Sequence, residues 1–162
     1  MKIAIVGSQP ESWQFAPFED KEWTIWGFSR RNHKALPRCD AWFELHPQSH
    51  YHQYRVNVPG YLEWLFENED AVLHDDFPHK EILAEFGPYF FSHGQIGWIM
   101  AYAITQNPTT IGLWGIDGQP KDGYGGQRPE IWYFTSIAKY RGIEVVAGDP
   151  RLLVPDPSYA FS

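Results

Sequence analysis

A chain of 162 residues with one cysteine cannot close an internal disulfide around Cys39, so its stability has to come from a packed core. That usage also fits a reducing compartment. Basic residues are few and scattered, apart from Arg30, Arg31 and Lys34, and the formal net charge is −7. Gripping the phosphates of a long nucleic acid needs clustered lysine and arginine that release counterions, so no long nucleic-acid partner is expected. No apolar run approaches the length of a membrane span, and no charged stretch followed by an apolar one opens the sequence. The expectation is a cytoplasmic protein with no membrane partner. Repeats, low-complexity tracts and linkers are missing too, which predicts one domain over 1–162, irregular from about residue 150.

Large rings are abundant instead, with aromatics at 17% and eight tryptophans, enough to build most of a core and leave some to line a pocket. Short β-branched runs alternate with helical patterns. Lys2 to Val6, Glu22 to Phe28, Asp40 to Leu45, Ala71 to Leu73, Thr110 to Gly115 and Ile143 to Val146 read as strands. Tyr61 to Glu67, His79 to Phe86, a helix from an N-capping Ser92 to about Thr105, and Ile131 to Tyr140 with Pro129 at its first position read as helices. This alternation predicts an α/β fold, a Rossmann-like open and mostly parallel sheet with helices on both faces. Such sheets bind ligands beyond the carboxyl ends of their strands, where strand order reverses.

The residues past those ends are the candidate site. Gly7, Ser8 and Gln9 form a turn that lets backbone approach a ligand, although neither a dinucleotide fingerprint nor a P-loop lysine is present. Ser29 follows the second strand. Ser92, His93 and Gly94 open the long helix, whose unpaired amides favour an anion. Asp117 ends a central strand, positioned to contact ribose or base or to accept a proton. The glycine-rich loop from Gly118 to Arg128 has the length of a lid, with Tyr124, Gln127 and Arg128 as closing residues. Glu44 and His46, two apart on a strand end, face the same way and with His93 are the acid–base candidates. The spacing of His46, His50 and His52 matches no standard zinc pattern, so no metal and no other cofactor is expected.

Together, Ile3 to Gly7, Asp40 to His46, Ser92, Gly115-Ile116-Asp117, Gln127-Arg128-Pro129 and Arg141-Gly142-Ile143 resemble a family of small bacteriophage Rossmann-like proteins. Several of these pieces also resemble short bacterial sialyltransferases that use CMP-sialic acid. Those enzymes carry a Gly-Asn-Gly-Pro-Ser turn, a second asparagine after strand two and a Gly-Ile-Asp strand end. The chain departs at Ser8 and Ser29, which stand where the asparagines would be, and at Thr135, near where their general-base histidine would fall. The resemblance implies the fold and a nucleotide-shaped pocket more than sialyl transfer itself. If the chain is phage-encoded, it acts in the host cytoplasm.

The function expected is therefore binding of a small nucleotide or nucleotide sugar, with transfer or hydrolysis at a phosphoester or glycosidic bond. The alternative is a non-catalytic module that sequesters a nucleotide signal, for example one used in host defence. An adaptor role has no support beyond the tryptophan count, and a homo-oligomer is left open.

Overall fold

The computed structural model describes residues 1–88, 94–118 and 127–153. Its strands are β1 (Lys2–Val6), β2 (Trp23–Gly27), β3 (Ala41–Glu44), β4 (Ala71–Leu73), β5 (Thr110–Trp114) and β6 (Glu144–Ala147). Its helices are α1 (Tyr51–Asn57), α2 (Tyr61–Glu67), α3 (His79–Phe86), α4 (Gln95–Thr105) and α5 (Gln127–Tyr140). The strands form one six-stranded sheet in the order β4-β3-β2-β1-β5-β6. Every pairing is parallel. The chain walks outward from β1 to β4, then returns to place β5 on the other side of β1. Strand order therefore reverses between β1 and β5, and Val6 pairs with Gly27 on one flank and Trp114 on the other.

Alternation along β1 explains the layering. Ile3 and Ile5 join the core built on α4 and α5, while Ala4 and Val6 face the other way, onto Ala16, Phe18 and the flanking Trp13, Trp23 and Trp114. Phe43 and Trp42 split likewise. Phe43 packs into the larger core, and Trp42 packs under α1 and α2 with Tyr51, Tyr54 and Tyr61. Helices thus lie on both faces. The tryptophans serve packing: Trp42 is fully buried and its indole N–H donates to the Tyr61 hydroxyl at 3.1 Å.

Several element boundaries differ from the sequence reading. Helix α4 starts at Gln95 after Gly94, so Ser92 lies ahead of its first turn and outside the described residues. Helix α5 starts at Gln127 and takes Pro129 into its first turn. Helix α1 has no aliphatic stripe, since its inward positions are Tyr51 and Tyr54, and its pattern is hidden among histidines. The tail is regular for one more turn, Pro150–Leu153, because Leu152 is buried against the core.

Candidate functional site

At the reversal, the end of β1 and the end of β5 touch. The Gly7 amide donates to the Trp114 carbonyl at 2.8 Å and the Gln9 amide to the Gly115 carbonyl at 2.9 Å. Ser12 closes the joint, its hydroxyl accepting from the Gly115 amide at 2.8 Å and meeting Gln9 Oε1 at 3.2 Å. A side chain on either glycine would strike the other's backbone, with a Cβ on Gly7 coming 2.4 Å from the Gly115 carbonyl oxygen. Asn32, buried beside this joint, donates to the Gly7 carbonyl at 2.9 Å and ties the end of β2 to it.

Above the joint lies a cavity of about 350 Å³. Gly7, Ser8, Gln9 and Pro10 form one wall, Phe28, Ser29 and Arg31 a second, and Gly115 to Gly118 with Gln127 the third. The Ser29 hydroxyl donates to the Ser8 hydroxyl at 2.7 Å, so two hydroxyls from adjacent strands meet at the rim. Arg31 and Asp117 are the ionisable groups among the described lining residues, placed on different walls. The site is polar at its edges and glycine-floored, which is what a strand-end ligand crevice needs.

The structure sorts the sequence candidates. Gly7, Ser8, Gln9, Ser29, Asp117 and Gln127 line this one cavity although they lie far apart in the chain. The amides of Gly7 and Gln9 are already committed to β5, so they cannot hold a phosphate as the turn alone implied. Close backbone approach is what these residues contribute, while the Ser8 and Ser29 hydroxyls and the Arg31 guanidinium offer side-chain donors. Gly94 borders Gln127, whose Nε2 would be 2.7 Å from a Cβ there, but it does not line the cavity. Ser92, His93 and Tyr124 lie outside the described residues, as does 119–126, so a lid over this loop is not described. Sequence reasoning passed over Arg31 and Asn32. The signal was there: the one basic cluster of the chain sits directly after Phe28-Ser29.

Arg128 and the Glu44–His46 pair are held elsewhere. Arg128 donates to the Arg151 carbonyl at 3.1 Å and lies over the Trp132 ring at 5.3 Å, clamping the turn after β6. Arg128→Ala is accordingly expected to loosen the 150–153 turn in hydrogen exchange while leaving the affinity of a ligand placed in this cavity within about twofold, as for independent sites. A large affinity loss would return Arg128 to the ligand. Glu44 and His46 do share a face, with the Glu44 carboxylate 2.8 Å from His46 Nδ1, but β3 is two strands from the reversal and neither residue lines the cavity. Among the described rings, Phe28 lines the cavity and no tryptophan does, so the pocket takes one of the many rings and packing takes the tryptophans.

Among the described residues no group of three or more metal-binding side chains is close enough to hold an ion. Burial pushes the Cys39 thiol up to about 11, which keeps it in the thiol form at neutral pH. No helix among the described residues is long and apolar enough to cross a membrane.

No protein-family model matches the chain, and no curated protein matches it in sequence. Solved structures do. The sialyltransferase CstII from Campylobacter jejuni in complex with the substrate analogue CMP-3FNeuAc matches with a TM-score of 0.53 at 15% identity, over 92% of this chain and 80% of that one. The same enzyme with cytidine-5'-monophosphate matches with a TM-score of 0.51 at 16% identity, over 92% and 80%. A variant described as an alpha-2,3/8-sialyltransferase matches with 0.53 at 15% identity, over 93% and 82%. At such identity the likeness is one of fold: an open, parallel α/β sheet.

Proposed function

We propose that this chain binds a nucleotide or nucleotide sugar in the cavity between the ends of β1 and β5 and catalyses transfer or hydrolysis at its phosphoester or glycosidic bond. The observation that carries this reading is the arrangement of the cavity walls. The Ser8–Ser29 hydroxyl pair and Arg31 offer donors to a phosphate, and Asp117 on another wall offers an acceptor to ribose hydroxyls or base. The volume of about 350 Å³ lies within the range of small-molecule sites. A fold shared with enzymes solved with CMP and CMP-3FNeuAc makes a cytidine nucleotide the first ligand to try. Glu44 and His46, one strand from Ser29, supply the acid–base chemistry. The protein acts as one domain in the cytoplasm, that of the host if it is phage-encoded.

A second reading, sequestration of a nucleotide signal without turnover, is favoured by one observation: apart from Arg31 and Asp117, no ionisable group is among the described lining residues. Incubation with cytidine, uridine and adenosine nucleotides and with CMP-sialic acid, followed by chromatography and mass spectrometry, separates the two. Product release supports catalysis. Saturable binding with every nucleotide recovered intact supports sequestration.

A further inference from the structure

Glu44 lies outside the cavity, yet its side chain is wholly buried at the end of β3. An unpaired carboxylate there would be strongly disfavoured, so its partners decide what it does. Oε2 lies 2.8 Å from His46 Nδ1, and an ionised carboxylate there can only accept. Oε1 accepts from the Tyr61 hydroxyl at 3.3 Å and lies 3.9 Å from Arg30 Nη1. Tyr61 is committed as a donor, because its oxygen already accepts from the Trp42 indole, and burial followed by the Glu44 charge pushes its phenol far up. Arg30 is held in place by stacking over Tyr54, 3.9 Å from the ring centroid. Every one of these neighbours of the carboxylate is thus a donor.

His46 is oriented by the same set. Its ring is flanked by His50, stacked at 5.7 Å, and by the edge of Tyr54 at 6.1 Å. With Nδ1–H spent on Glu44, the lone pair of neutral His46 sits on Nε2, and 29% of the side chain is open to solvent. This histidine stands beside the cavity and not within it. Gln95 links the two places, accepting from the Leu45 amide at 2.7 Å and donating to the carbonyl of the cavity residue Phe28 at 3.3 Å. Neighbouring strands lie about 4.8 Å apart, so the end of β3 adjoins the Ser29 rim.

We propose that Glu44, braced by Tyr61 and Arg30, is a positioning residue that fixes His46 with Nδ1 protonated and Nε2 bare, making His46 the proton acceptor for a hydroxyl-bearing second substrate docked at the end of β3. The hydroxyl proton passes to Nε2 as its oxygen bonds to the electrophilic centre of the cavity-bound nucleotide derivative. The bond from that centre to the leaving oxygen breaks, and its electron pair leaves with that oxygen. The first substrate in this step rests on the nucleotide reading; the state of His46 does not.

The test is long-range proton–nitrogen NMR of the full chain, with histidine nitrogens labelled, above the pH at which His46 is neutral. Wild-type protein should show His46 protonated at Nδ1. In Glu44→Gln the amide oxygen stays between its two donors, Tyr61 and Arg30, so the amide NH₂ faces Nδ1 and the proton moves to Nε2. CMP affinity, measured by calorimetry, should stay within about twofold in Glu44→Gln and His46→Gln. CMP release from CMP-sialic acid should fall by about 10²–10⁴-fold in His46→Gln, and by about tenfold or more in Glu44→Gln. Wild-type His46 protonated at Nε2, or His46→Gln releasing CMP at the wild-type rate, overturns the proposal. Should wild type fail to bind CMP while the NMR result holds, the nucleotide reading fails and the positioning role of Glu44 stands. The wild-type spectrum decides even if Glu44→Gln does not fold.

Discussion

Gly115→Ala should lower folding stability by about 2–5 kcal/mol, the strain of a left-handed residue added to an overpacked contact, and abolish the proposed nucleotide binding. Gly115 has φ 68, and a Cβ there would lie 2.5 Å from the Gly7 carbonyl oxygen, 2.6 Å from the Gly7 carbonyl carbon and 2.7 Å from Trp13 Cβ. Two of these are backbone atoms of β1's end, which cannot swing aside as a flexible side chain would. Relief requires parting β1 from β5, whose ends are joined by the Gly7 and Gln9 amides. The wall of the cavity goes with them. Gly142 provides the control, with φ 79 and nothing within 4 Å of the place a Cβ would take. Gly142→Ala should cost only the conformational part, about 1 kcal/mol. Urea denaturation of the two variants isolates the cost of the close approach. Equal destabilisation would mean that the two strand ends are not in contact.

Arg31→Ala is expected to weaken CMP binding by about 1.5–3 kcal/mol, roughly 10- to 150-fold, the range for a charge-assisted hydrogen bond. Arg31 is the cation among the described lining residues and is exposed, so its removal should leave stability nearly unchanged. Calorimetry with CMP and with cytidine divides the effect. The loss should appear for the phosphorylated ligand and vanish for the nucleoside. An Arg31→Ala protein that binds CMP as wild type does would move the phosphate to another wall.

The parts of this site that were legible in the sequence share one cause. Buried parallel strands read as apolar runs, and the residues just past each run fall on one edge of the sheet. Gly7, Ser8, Gln9, Ser29 and Asp117 could be gathered in this way from the residue pattern alone. Strand order is different, because it depends on crossovers that leave little trace in local pattern. Glu44 and His46 were paired correctly by alternation, yet only the order β4-β3-β2-β1-β5-β6 puts them two strands from the reversal. Arg31 sits in the 3-10 turn Arg30–Asn32, too short to carry any periodicity. The use of the Gly7 and Gln9 amides by β5 is a tertiary fact, invisible in a turn motif read by itself.

The most direct test of nucleotide binding between β1 and β5 is a crystal structure of the full chain grown with CMP. The phosphate should lie against the Ser8 and Ser29 hydroxyls and Arg31, with the nucleoside reaching Asp117 across the floor formed by Gly7 and Gly115. Nucleotide lodged instead in the shallow depression between His33, Lys34 and Trp64, or bound with its phosphate remote from Ser8 and Arg31, would contradict it.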